Sequence, residues 1–130
     1  MLKLLFILTF LSTLTLSSMA TQASKYVYYG FEPDIVTNYV ATNKKMGYVR
    51  LTVELMVEKG NSLTIVEHHS ALLRDAIIDI IGNQTEAKIK SIKGRAEIQL
   101  LCEEKVNALL VEETGQALIK SLLFTQWLAH

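Results

Sequence analysis

From Tyr48 to Glu58 the chain alternates cleanly, with Leu51, Val53, Leu55 and Val57 on one side and Arg50, Thr52, Glu54 and Glu58 on the other. Period-two alternation of this kind predicts a strand with one buried and one wet face. Tyr26 to Phe31 carries a shorter version, in which Val27, Tyr29 and Phe31 fall together and Gly30 marks a bulge or bend. Pro33 has no backbone donor, so Glu32 to Tyr39 reads as an edge strand or an extended connection. Thr42 to Gly47 is polar and turn-like.

Past a turn at Gly60 and Asn61 the period changes to 3.6. Ile65, Val66, His69, Leu72, Leu73, Ala76, Ile77, Ile80 and Ile81 share one face of a long helix, which Gly82 and Asn83 cap. Thr85 to Lys93 predicts a short basic helix ended or kinked at Gly94. A second long helix follows from about Arg95 to Leu110, with Ile98, Leu101, Cys102, Val106 and Leu109 on its apolar face. After a polar turn from Glu112 to Gln116, Leu118 to Leu128 predicts a strand that is apolar on both sides. Ile119, Leu123 and Trp127 lie on one side, and Leu118, Leu122, Phe124 and Leu128 on the other. Such a strand is either central in a covered sheet or the carrier of a contact surface. The order of elements is that of an α+β fold: a small sheet of three to four strands packed by two long helices and one short helix.

A chain of 130 residues, 50% of them hydrophobic, suits one domain with one core. Lys plus Arg equals Asp plus Glu at 13 each, so no net field recruits nucleic acid or an acidic substrate. The single Cys102 excludes an internal disulfide and a four-thiolate zinc site, and reads as a small buried hydrophobe. Met1 to Lys3 carries one positive charge, and the uncharged run Leu4 to Leu16 follows. A run of that length matches the apolar region of a secretory signal, about 7 to 15 residues, better than a membrane span of about 20. Residues 1–23 are therefore a signal peptide or, alternatively, a short membrane anchor reaching from Leu4 to Ala20. Length favours cleavage over anchoring, after Ala23 with Thr21 and Ala23 at the recognition positions or alternatively after Ala20 with Ser18 and Ala20, and residues 24–130 form a domain outside the cytoplasm.

Catalytic, cofactor and metal constellations are not found. His68 and His69 follow Glu67, but adjacent helical residues point about 100° apart and do not converge on one ion. No nucleophile elbow or glycine-rich phosphate loop is present. The paired acids Glu103–Glu104 and Glu112–Glu113 read as solvated surface. What remains is contact surface. Ile78 sits on the polar side of the first long helix, Leu122, Phe124 and Leu128 form a second apolar set, and Lys88, Lys90, Lys93 and Arg95 make a local basic excess that reads as a solvated helix face or, alternatively, as a dock for an acidic partner.

Several strings, in order, resemble the FliL family of flagellar basal-body-associated proteins. They are Phe31-Glu32-Pro33 with Ile35-Val36 and Asn38, the alternating Tyr48 to Leu55, the helix string Leu73-Arg74-Asp75-Ala76-Ile77-Ile78, Val106 to Leu110, and Leu123-Phe124-Thr125-Gln126-Trp127. The resemblance implies a stomatin-like core and a non-enzymatic role without cofactors. It also implies a place beside flagellar motor and stator proteins at the periplasmic side of the inner membrane, and assembly of copies into a ring. The family usually has a full membrane span, and the shorter segment here departs from that pattern. From a different class, apolar strand surface would also suit a periplasmic peptide- or lipid-binding or chaperone module.

Overall fold

A computed structural model describes residues 24–42 and 45–130. The signal-like segment, residues 1–23, lies outside the described residues. Four strands, β1 (Tyr26–Gly30), β2 (Ile35–Val40), β3 (Met46–Glu58) and β4 (Ile119–Ala129), form one antiparallel sheet. Between β3 and β4 lie four helices, α1 (Ser62–His68), α2 (Ser70–Gly82), α3 (Glu86–Lys90) and α4 (Ile92–Thr114). The fold is α+β, as the element order predicts.

β3 is the axis. Its Met46–Leu51 half pairs with β2 and its Glu54–Glu58 half pairs with β1, both along one edge, while β4 runs along the other edge. The Glu32 to Tyr39 segment is thus an edge strand from Ile35 onward. Val49, Leu51, Val53, Leu55 and Val57 point into the core and are fully buried. They meet Val66, Leu73, Ile77 and Ile81 from α1 and α2, Ile89 from α3, and Ile98, Cys102, Val106 and Leu110 from α4.

The structure revises three element readings. The first long helix is two, because the backbone breaks at His69 (φ −97°, ψ 8°), whose ring Nδ1 lies 2.9 Å from the Ile65 carbonyl. Gly94 does not end a helix but lies inside the first turn of α4. The break is at Ser91, whose hydroxyl caps the Gly94 N–H at 2.9 Å. A Cβ on Gly94 would stand 2.2 Å from the Lys88 carbonyl oxygen, so glycine is what lets α3 fold back against α4. The acidic stretch from Glu112 continues α4 to Thr114, and Gly115 ends it in the left-handed region at φ 81°.

β4 differs more. Register shifts between Thr52 and Val53 and between Met56 and Val57 insert extra residues into it. Each shift restarts the alternation, so Ile119, Leu122, Phe124, Trp127 and Ala129 all pair with core-facing positions of β3. The strand is not apolar on both faces. Bulges gather most of its apolar residues onto one.

Candidate interaction surface

All helices cover one face of the sheet; the other is open. On that outer face the cross-strand registers align Val36 with Arg50 and Leu128, Asn38 with Tyr48, and Val40 with Met46. Val36, Val40, Met46, Tyr48 and Leu128 are between 46% and 63% exposed, which makes this end of the sheet a clustered apolar patch rather than scattered exposure. Asp34 borders it, accepting from Arg50 Nε and from the Thr52 hydroxyl, both at 3.0 Å.

The anticipated contact residues scatter over the molecule. Leu128 lies in the outer-face patch. Leu122 is fully buried opposite Leu55 and has to be removed from the candidate surface. Phe124 is half-buried, packed on the core with its ring 4.9 Å from that of Trp127, so it is not a free patch either. In both cases the cause is the bulged register. Ile78 lies on the opposite, helical side, half-buried on the wall of a groove between α2 and α4 with Leu72, Leu109 and Lys105. That groove adjoins a shallow cleft of ≈ 480 Å³ lined by Asp79, Ile80, Leu101, Glu104 and Lys105.

The basic stretch is partly neutralised. Lys90 binds Glu86 at 2.7 Å and Lys88 lies 3.5 Å from Glu97, while Lys93 is exposed. Glu86 also accepts from the Thr42 backbone at 3.1 Å and from the Thr42 hydroxyl. The bond from Lys90 and then those from Thr42 hold its carboxyl down at about 2, and the same contact with Glu86 raises the Lys90 amine. Burial pushes the Cys102 thiol up to about 12. His68 and His69 stack edge to face with ring centroids 5.0 Å apart, and no group of three His, Cys, Asp or Glu among the described residues is placed to hold a metal.

A polar stripe on α4 is not legible as such in the sequence, where Glu103 reads as solvated surface and Arg95 as part of the basic cluster. Arg95, Gln99, Glu103 and Asn107 recur every fourth residue, one position on from the buried stripe Gly94, Ile98, Cys102 and Val106. Asn107 donates to the Ile119 carbonyl at 3.0 Å and accepts from its N–H at 2.9 Å. Glu103 accepts from the Leu122 N–H at 2.9 Å, and Gln99 donates to the Leu122 carbonyl at 2.7 Å. The free edge of β4 is thereby sealed along its first half. Arg95 continues the stripe but makes no such bond; its guanidinium lies 5.4 Å from the centre of the Trp127 ring. The four-residue spacing was visible in the chain, but without the strand beside it nothing distinguishes it from solvated surface.

Fold and surface together define a small two-layer α+β domain with an uncovered sheet face, an inter-helix groove and a half-sealed edge. The family model for the flagellar basal body-associated protein FliL matches residues 28–129, which takes in all eight elements save the first residues of β1. The chain belongs to the FliL family. It is 28% identical over 101 residues to the flagellar protein FliL of Aquifex aeolicus (strain VF5), a match covering 78% of this chain and 60% of that relative's length. No helix of the described residues is long and apolar enough to cross a membrane.

Proposed function

We propose that this protein is a non-enzymatic accessory of the flagellar basal body, exported across the inner membrane, that contacts motor or stator proteins and supports rotation. One observation carries the reading: the family match spans the whole folding unit, from β1 through β4, rather than a local motif. The open outer face gives it a means. Val36, Val40, Met46, Tyr48 and Leu128 offer neighbouring molecules a contact surface, and repeating one such contact around an axis builds a ring.

Gene deletion with measurement of swimming, swarming and motor torque tests the role, and a fluorescent fusion tests the place. Impaired motility with foci at basal bodies is expected; unchanged motility under every load together with diffuse fluorescence ends the proposal. Export is checked by intact mass. A periplasmic species beginning at Ser24 is expected, and a membrane species retaining Met1 to Ala23 establishes the anchor instead.

A further inference from the structure

The second half of the β4 edge is built differently from the first. Tyr48 and His130 exchange backbone hydrogen bonds of 3.4 and 2.8 Å. Counting back along an antiparallel ladder, Leu128 also turns its backbone groups toward β3, and Trp127 and Ala129 turn theirs away. Among the described residues nothing hydrogen bonds the main chain of Trp127 or Ala129, whereas Ile119 and Leu122 are closed off by Asn107, Glu103 and Gln99.

Beside this open stretch stands Arg95. A guanidinium has only donors, so it cannot cap an outward N–H as Glu103 and Asn107 do. It stacks on Trp127, its Nε is buried without a partner, and no carboxylate among the described residues lies within ion-pair distance. An open strand edge with an unneutralised cation next to it is complementary to an extended chain bearing an acid.

We propose that the β4 edge from Trp127 to Ala129 receives an extended segment of another protein, which adds a strand to the sheet and pairs an acidic side chain with Arg95. A second copy of this chain is the wrong occupant. Its edge strands β1 (YVYYG), β2 (IVTNYV) and β4 (IKSLLFTQWLA) contain no Asp or Glu. The β2 edge is moreover engaged at Val40, whose N–H donates to Gln84 at 3.0 Å. The site stands on geometry alone and holds whether or not the chain serves a motor.

Two blocked peptides of alternating threonine and valine, one with a central glutamate and one with a central lysine, serve as probes. Each is titrated against the exported domain while Trp127 fluorescence and amide exchange are followed. The glutamate peptide is expected to bind and to slow exchange at Trp127 and Ala129, and the lysine peptide to bind at least about tenfold more weakly. Arg95→Lys, which keeps the charge and guards against misfolding, retains the preference; Arg95→Gln abolishes it. Ala129→Pro removes an outward N–H without touching the β3 ladder and abolishes binding of both peptides. Equal affinity for the two peptides, protection confined to other amides, or concentration-dependent self-association that protects Trp127 and Ala129 without peptide would each overturn the proposal.

Discussion

Asn107 and Ile119 exchange two hydrogen bonds, of 3.0 and 2.9 Å, so that one side-chain amide of α4 stands in for a neighbouring strand at the β4 edge. Ile119 is almost fully buried, and an unmet backbone group there loses its water as well as its partner. Asn107→Ala is expected to destabilise the domain by about 1–3 kcal/mol, read from the shift in urea midpoint at constant m-value. Asn107→Asp should cost at least as much, because it keeps the acceptor but sets a charge against the Ile119 carbonyl. A loss under about 0.5 kcal/mol for both would show that the amide is dispensable.

Gly94→Ala tests the α3–α4 elbow. Helix propensity alone favours alanine by about 1 kcal/mol. The added Cβ would meet Lys88 backbone atoms at 2.2 and 2.5 Å, and relieving that overlap means moving one helix off the other. Overpacking of this kind typically costs about 1–3 kcal/mol, so net destabilisation is expected. A variant more stable than wild type in thermal melts would contradict the close approach.

The clamp from Thr42 and Lys90 onto Glu86 gives a pH signature. Its carboxyl titrates at about 2 in the folded state against an ordinary 4.5, so the folded state holds the charged form more tightly. The contribution is complete above pH 4.5 and is lost as pH falls toward 2. The difference in Tm between wild type and Glu86→Gln should therefore be present at pH 7 and shrink toward zero near pH 2. A difference independent of pH across that window would exclude the clamp.

Cys102 should be silent toward thiol reagents in the native state. It is fully buried and its thiol is raised to about 12, so little thiolate exists at pH 8 and none is accessible. Labelling with an aromatic disulfide is expected only as fast as the domain unfolds, and at once in denaturant. Rapid native labelling would mean that α4 detaches locally from the sheet.

The elements most open to reading were those whose burial is periodic. Clean alternation from Leu51 to Val57 marked β3, and the 3.6 period marked α2 and α4 with Cys102 inward. Fold class followed from their order. What the pattern hid was set by contacts between distant segments. The β4 bulges follow from pairing with β3, so Leu122 and Phe124, which alternate with Ile119 in the chain, turn to the same side in the fold. Gly94 looked like a breaker because its helix partner, Lys88, is recognisable only once α3 has folded back. The Arg95 to Asn107 stripe resembled solvated surface because its partners are main-chain atoms, which carry no signature in the residue types. The outer-face patch is legible at one of its five residues, Leu128, whereas Val36, Val40, Met46 and Tyr48 belong to segments whose exposed side is fixed by which face the helices cover.

The attachment of Lys25 and His130 at opposite ends of β3 has a mechanical consequence. Lys25 is tied to Lys59 at one end of β3, by a bond of 3.0 Å, and His130 to Tyr48 near the other, roughly 36 Å away at strand spacing. Tension applied between those two points runs parallel to the strands and across the hydrogen bonds that join β1 and β4 to β3. The ladders are then loaded in shear, where many bonds share the force and must yield together, instead of being peeled apart one by one from an end.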